Sequence, residues 1–513
     1  MSYCAYITQL ENLRPHPNAD KLMLADCFGN TICVTKDQYY EGQLVVYFPT
    51  DGQLSEAFCK ANDMVERIDE NGKRTGGYVH PRKRNVKAIK LRGEKSDGIA
   101  LDISCLEFTG ANLKKFKSGD TITIINGIEI CRKYIPEGKE GREIGAGSRN
   151  QKRVKQNIAP LFFEHIDTAQ LNYNLDMFEP GDHIQITRKL HGTSGRTGYT
   201  KVFKGFKHKS SFYQRVINNC YNKPNLSKFA HRLLDKALEN AVAIYDWDYI
   251  SGTRRTILKD YDGGYYDCSN NFRRIWNNVF KGKLLKGETV YYEIVGFLPN
   301  GEPIMPGCDN HKLNDEEFIK QYGNTTIFSY GCEPTGYEQC ECNGVEMQSG
   351  TLWINQMPLG DTSDIKMYRR AIQQRIYVYR MTMTNESGDV VEYPPYLIEY
   401  RCKQMGIPMV PVEWEGIIPK DLPATSFEID ENGHKIFKKD TSAGEWIRVK
   451  AEEFFDGPEP LDPRHIREGV VVRIVNRKNF TVFKTKNFNF KLLEGIIKEN
   501  AEKPDLEEQE ESL

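Results

Sequence analysis

The sequence predicts an α+β protein in which a small β-barrel precedes a larger domain of antiparallel sheets with flanking helices. Three observations carry this expectation. Residues 1–135 hold five short runs rich in β-branched and aromatic residues, separated by turn signals. A stretch of glycine and charge without periodicity, Glu137 to Ser148, divides the chain. Beyond it, strand-like runs near 184–187, 289–296, 375–382 and 470–486 accompany a helix-spaced segment at 228–243. The expected organisation is a barrel at 1–135, a linker at 136–158, a main domain at 159–495 and an acidic, disordered tail at 496–513.

The 513 residues, 39% hydrophobic and 27% charged, suit a soluble globular protein with a large buried core. No run of eighteen apolar residues and no basic-then-apolar leader occurs, so the expected location is the cytoplasm, off the membrane, as a monomer. Thirteen cysteines without framework spacing fit free thiols in a reducing compartment. Cys332, Cys340 and Cys342 lack the paired spacing and fourth ligand of a zinc site. The net charge of −1 is unevenly spread. Glu502 to Leu513 carries six acids and one lysine, which leaves the remainder net positive.

In the barrel, strands are expected at Lys21–Cys27, Thr31–Thr35, Gln43–Phe48, Val86–Leu91 and Thr121–Ile125. The stretch Leu13-Arg14-Pro15-His16-Pro17-Asn18-Ala19-Asp20-Lys21-Leu22 resembles the opening of tRNA-binding OB modules. Barrels of that kind bind strands through a basic groove with stacking aromatics. Arg82, Lys83, Arg84, Lys87 and Lys90 are candidates to line one.

The main domain opens on Ile184-Gln185-Ile186-Thr187, an alternating strand that delivers Lys189 into Leu190-His191-Gly192-Thr193-Ser194-Gly195-Arg196. Gly192 and Gly195 are expected to let the backbone approach a bulky ligand, with the Thr193 and Ser194 hydroxyls holding a phosphate or sugar. The lysine is the candidate nucleophile. An amine attacks phosphorus only when deprotonated, so its site must lower its pKa by desolvation or neighbouring cations. Lys-x-His-Gly-Thr-Ser resembles the nucleophile motif of RNA ligases in the covalent nucleotidyltransferase superfamily.

The residues downstream of the lysine keep the order of that superfamily's motifs. Lys201 to Arg215, basic and aromatic, reads equally as a surface facing phosphates and bases or as a solvated loop. Lys228 to Ala243 has the apolar spacing of a helix. Ser251-Gly252-Thr253-Arg254-Arg255 resembles the second motif; neighbouring residues of an extended segment point opposite ways, so one arginine, Arg254 or Arg255, faces the site. Glu293 interrupts the apolar run Thr289 to Gly296, where a buried carboxylate needs a partner, a ligand hydroxyl or a metal. It stands where the third motif belongs. Arg375 to Thr382 resembles the strand whose aromatic stacks on the nucleobase, with Tyr377 chosen over Tyr379. Glu468-Gly469 and, sixteen residues later, Lys484-Thr485-Lys486 complete the series on a predicted hairpin. On it the two lysines share a face and would repel unless an anion lay between them.

The first region, with Val46 to Gly52 and Lys90 to Gly98, is also similar to the N-terminal module of the Deinococcus-type RNA ligase family. DNA ligases and capping enzymes usually carry their OB domain after the last motif, and eighteen residues after Gly495 leave no room for one. The resemblance implies an adenylyltransferase domain of ligase (ATP-grasp-like) type behind an OB-like barrel. It implies a lysyl-AMP made from ATP, with Mg2+ or Mn2+, and sealing of RNA 3′-OH and 5′-phosphate ends in a nicked duplex, as in RNA repair. Lys189 would be the nucleophile, and Lys484 and Lys486 would neutralise the α-phosphate. Glu468 would hold the metal, and Glu293 the ribose or the metal. His191 and Gly192 would shape the turn, and Arg254 and Tyr377 would contact the nucleotide. Arg188 and Arg380 stand where many relatives carry acids, and 333–374 reads as an insertion. The competing functions are a GTP-using capping enzyme, a DNA ligase, or a non-catalytic RNA-binding protein.

Overall fold

A computed structural model describes residues 3–70, 74–134, 158–166, 168–223, 226–254, 257, 279–296, 304–305, 308–309, 313, 315–326, 337–339, 345–348, 351–356, 368–372, 374–422, 427–429, 435–437 and 442–499. The linker to residue 157, Arg255, the three clustered cysteines, most of 333–374 and residues 500–513 lie outside the described residues.

The front module is built on strand β1 (Ala5–Gln9), which the expected strand set lacked. After it come β2 (Glu11–Pro15), β3 (Leu22–Cys27), β4 (Asn30–Thr35), β5 (Leu44–Phe48), β6 (Ala88–Leu91), β7 (Glu94–Asp97), β8 (Ile99–Asp102) and β9 (Thr121–Ile122). One sheet runs β8-β5-β1-β9, a meander runs β2-β3-β4, and β6 and β7 form a hairpin. The unbroken apolar run of β5 is buried on both faces. Val46 and Phe48 join one core with Ile7 and Phe58, while Val45 and Tyr47 join another with Ala25 and Ile32. His16, in the stretch likened to tRNA-binding modules, is buried against the Leu91 carbonyl at 3.0 Å, and Asn18 donates to the Arg92 carbonyl. These residues hold the β6–β7 hairpin.

The main domain contains two five-stranded sheets. The first comprises β10 (Ala169–Gln170), β11 (His183–Lys189), β17 (Val412–Ile417), β18 (Gly469–Ile474) and β19 (Thr481–Lys486), in the order β10-β19-β18-β11-β17. All its pairs are antiparallel except β10 with β19. The second comprises β12 (Thr193–Lys207), β13 (Val242–Gly252), β14 (Glu288–Gly296), β15 (Gln374–Thr384) and β16 (Val390–Glu392), in the order β13-β12-β14-β15-β16 and wholly antiparallel.

Helices α1 (Ser211–Cys220) and α2 (Lys228–Glu239) join β12 to β13. The Ser227 side chain caps α2, and β13 begins at Val242, so the helix is shorter than its apolar spacing suggested. The basic-aromatic segment 201–215 divides between β12 and α1, with Phe206 and Tyr213 packed against the α1–α2 core. Helix α3 (Pro395–Met405) covers the second sheet, bringing Ile398 and Cys402 to Val290, Tyr292 and Val378. Helix α4 (Ala443–Phe455) covers the first, where Ile447 and Ala451 meet Ile184, Ile186, Val470 and Val472.

Helix α5 (Phe488–Glu499) extends four residues past the expected domain end and lies between the main domain and the barrel. Phe490 and Leu493 enter the second sheet's core. On the barrel side, Lys491 Nζ donates to Asp97 Oδ2 at 2.6 Å, and the Lys95 ammonium sits 5.5 Å from the Phe488 ring. Tyr6 and Phe28 pack on Tyr173, with ring centroids 4.5 and 5.1 Å away. Lys90, expected in a nucleic-acid groove, pairs with Asp315 of the main domain instead. It is a docking residue.

Candidate nucleotidyl-transfer site

Lys189 is the last residue of β11, and only Leu190, His191 and Gly192 separate it from β12 in the other sheet. The nucleophile candidate therefore stands at the crossing between the sheets. Gly192 is required there because a Cβ would lie 2.2 Å from the Ile294 carbonyl oxygen. At Gly195 a Cβ would lie 2.5 Å from the Tyr292 ring. Both glycines serve the close approach of the chain to β14, a role the sequence did not assign them. Thr193 is fully buried, and of the two hydroxyl residues only Ser194 reaches the cleft.

The cleft opens between the two sheets. Among the described residues its lining includes Arg188, Lys189, Arg254, Arg473 and Lys484 but a single carboxylate, Glu293. Leu190, Ile398, Met409, Val410, Val471 and Val482 supply apolar walls. The lining thus offers both cations suited to phosphates and apolar surface suited to a base.

Glu468 sits just before β18, behind the lysine. Its carboxyl is 2% exposed and receives Lys189 Nζ at 2.6 Å and Lys486 Nζ at 3.3 Å, with His191 Nδ1 at 3.7 Å. Burial alone would raise its pKa, yet the two ammoniums outweigh that and hold the carboxyl well below the usual range. Both ammoniums lie on Oε1, while Oε2 is buried without a hydrogen-bond partner among the described residues, 3.7 Å from His191 Nδ1. Gly469 follows with φ +154°, where a Cβ would lie 2.0 Å from the Thr485 carbonyl oxygen, so glycine alone lets β18 start there. Lys486 also bonds Glu494 of α5 at 2.9 Å, and His191 packs edge-on to Phe490 at 4.8 Å. Helix α5 therefore backs the catalytic candidates. Lys484 lines the cleft, whereas Lys486 belongs to this charge cluster.

Glu293 faces the cleft from β14, opposite Ser194 on one side and Tyr377 on the other. Tyr377 is 6% exposed and packs with Leu190, Val295 and Val410, while Tyr379 lines the cleft. This reverses the sequence-based choice. A bulge shifts the β14–β15 register between Tyr291 and Tyr292 so that Arg380 and Val378 are paired and Tyr379 is the extra residue. Arg254 is the arginine seen to face the site.

Several residues in or beside the cleft were given no site role from the sequence. Arg188 bonds Glu413 at 2.7 Å and Glu459 at 3.0 Å, partners more than 220 positions away. Arg380 does not line the cleft; it is buried against Glu392 and lies 4.7 Å from the ring of Phe480, which does. Arg473 donates to the Tyr393 carbonyl at 2.7 Å, and burial pushes its guanidinium down to about 10. It was legible as the final position of Glu468-Gly-x-x-x-Arg. Gln185 and Thr187 follow from the two-residue period of β11 counted back from Lys189.

A family model described as an OB-fold domain matches residues 4–103. No curated protein matches the chain. Among solved structures, a Naegleria gruberi RNA ligase mutant with AMP and Mn aligns over 95% of this chain and 97% of its own at 13% identity, with a TM-score of 0.48. The Naegleria gruberi RNA ligase with PPi aligns over the same shares, 95% and 97%, at 13% identity and a TM-score of 0.47. Superpositions this loose decide nothing about chemistry, which is argued from the site.

Proposed function

We propose that this chain is an ATP-dependent RNA ligase of the Deinococcus type, which joins 3′-OH and 5′-phosphate ends through a lysyl-AMP at Lys189. One observation carries the reading: a lysine at the crossing of two sheets opens on a cleft lined by five cations and one carboxylate, with apolar walls beside them. A triphosphate attached to an aromatic base complements that lining.

In the first step Lys189 Nζ bonds to the α-phosphorus as the bond to pyrophosphate breaks. The amine must first lose its proton to solvent before it can attack. Glu468 aims Nζ, and Lys484 and Arg473 offset the charge that grows on the phosphoryl oxygens. In the second step an oxygen of the RNA 5′-phosphate attacks the AMP phosphorus, the N–P bond breaks and Lys189 regains its proton. In the third, the 3′-hydroxyl attacks the 5′-phosphorus and AMP leaves. Each displacement depends on in-line positioning more than on acid–base chemistry.

Among the described residues no three His, Cys, Asp or Glu gather into a metal cage. Mg2+ or Mn2+ arriving with the triphosphate needs only one or two carboxylates besides water and phosphate oxygens, and Glu293 fits that part. Such an ion would neutralise phosphate charge. The front barrel is assigned to nucleic-acid contact, with Arg82, Lys83, Arg84 and Lys87 as its cations and Lys90 removed from that set.

Incubation with α-labelled ATP is expected to leave covalent AMP on the full-length protein, and Lys189→Ala to abolish it. Lys189→Arg should fail too, because guanidinium stays protonated. Normal labelling of the alanine variant would remove Lys189 from the mechanism. Preferential labelling by GTP would favour a capping enzyme, and sealing assays on nicks with RNA or DNA on each side separate RNA from DNA ligation.

A further inference from the structure

Strand β11 puts more than the nucleophile into the cleft. Ile184 and Ile186 point into the core under α4, so Gln185, Thr187 and Lys189 share the opposite face. At about 3.3 Å per residue, Gln185 lies roughly 13 Å along the strand from Lys189. That span is comparable with the distance from a nucleotide's α-phosphate to the far edge of its base. Met409 and Val410 line the cleft with Gln185 and continue behind it into an adjoining hollow, so this end of the cleft is an apolar wall with a polar group set in it.

The polarity of that group is fixed. Gln185 is 6% exposed, and its Nε2 donates to Glu415 Oε2 at 3.0 Å from the position directly opposite on β17. The other Glu415 oxygen takes His183 Nε2 at 2.9 Å. A carboxylate only accepts hydrogen bonds, so the amide is held with Nε2 on Glu415 and presents Oε1 as its acceptor, beside the one remaining N–H of Nε2. Arg188, the nearby donor that would otherwise welcome a base carbonyl, has its guanidinium engaged by Glu413 and Glu459.

We propose that Gln185, oriented by Glu415, selects the nucleotide by accepting a hydrogen bond from the exocyclic amine of adenine. This deepens the nucleotidyl-transfer reading and rests on it. Guanine and hypoxanthine carry a carbonyl oxygen at that position, which would face the Gln185 oxygen acceptor to acceptor. Gln185 is a specificity residue and Glu415 a positioning residue; neither touches the reacting phosphorus.

The test compares covalent labelling of the full-length protein by ATP, GTP and inosine triphosphate, which keeps the purine and replaces only the amine. The unaltered protein is expected to favour ATP over inosine triphosphate by about 10- to 100-fold, the effect of one unpaired buried polar group. In Gln185→Met the ratio should fall toward one through loss of ATP labelling. Glu415→Gln should lower it differently. A neutral amide partner lets Gln185 turn and present Nε2, so labelling by inosine triphosphate should rise, a gain that general damage to the fold would not produce. The Glu415 side chain is 43% exposed, so this variant is expected to fold, as its melting curve would show. An unchanged ratio in both variants, with labelling intact, would overturn the role of Gln185 alone. An unaltered protein that prefers GTP would also overturn it. Failure of every nucleotide to label the unaltered protein would overturn the parent reading and this one with it.

Discussion

At the scale of single residues, the charge cluster behind Lys189 decides how the site responds to pH. Glu468 is a buried carboxyl whose pKa two ammoniums depress, so its stabilising effect is fully present above the ordinary carboxylate value and is lost as pH falls through the lower, folded value. The melting temperature should therefore drop as acid is added below about pH 4. Glu468→Gln should melt lower at pH 7, because the Lys189 ammonium loses its counter-charge and Lys486 keeps only Glu494. Its acid-side decline should be shallower, and equal declines in the two proteins would place the acid sensitivity elsewhere. Arg473 presents the reverse case. It makes no ion pair among the described residues, and burial disfavours its charge. Arg473→Met is expected to leave the melting temperature unchanged or higher while reducing AMP attachment by about tenfold or more, the usual conflict between a binding charge and a stable fold. A lower melting temperature with normal labelling would show the arginine to be structural.

At the scale of elements, strand positions were legible and their neighbours were not. The two-residue period located β11, β14, β18 and β19, and with them Lys189, Glu293, Glu468 and Lys484. Tyr379 was missed because one inserted residue alters which ring faces the cleft, and no periodicity announces a bulge. The role of Gly192 and Gly195 was missed because their neighbours lie on β14, a hundred residues away along the chain. Helix α5 was missed altogether. It touches the barrel through Phe488 and Lys491 and the catalytic cluster through Phe490 and Glu494, so neither face reads as a simple amphipathic pattern. Its tie to the barrel is measurable. Lys491→Met leaves Asp97, with a side chain 6% exposed, as an unpaired buried charge and should cost about 3–5 kcal/mol. Adding Asp97→Asn should restore part of that loss, and strictly additive effects in the double-mutant cycle would mean the pair is uncoupled.

At the scale of the whole molecule, the sequence suggested that ATP chemistry belongs to the main domain alone. The structure qualifies this, because the barrel supports α5, which in turn holds Lys486 and backs His191. The division of labour should still appear in salt dependence. Sealing is expected to fall steeply as salt rises, since strand binding releases counterions from each phosphate contacted. AMP attachment inside the cleft should fall much less, because buried charges are weakly screened. Parallel salt curves for the two activities would contradict a separate strand-binding surface.

The crossing at Leu190–Gly192 also determines what a small movement can accomplish. Lys189, Arg188, Arg473 and Lys484 all ride on the first sheet, whereas Ser194, Glu293 and Tyr379 ride on the second. If the sheets part slightly, the groups expected to act on phosphorus keep their mutual geometry, and Gln185 stays with them on β11, while Ser194, Glu293 and Tyr379 retreat together. A jaw built this way can loosen its hold on spent AMP without dismantling the apparatus that must be ready for the next ATP.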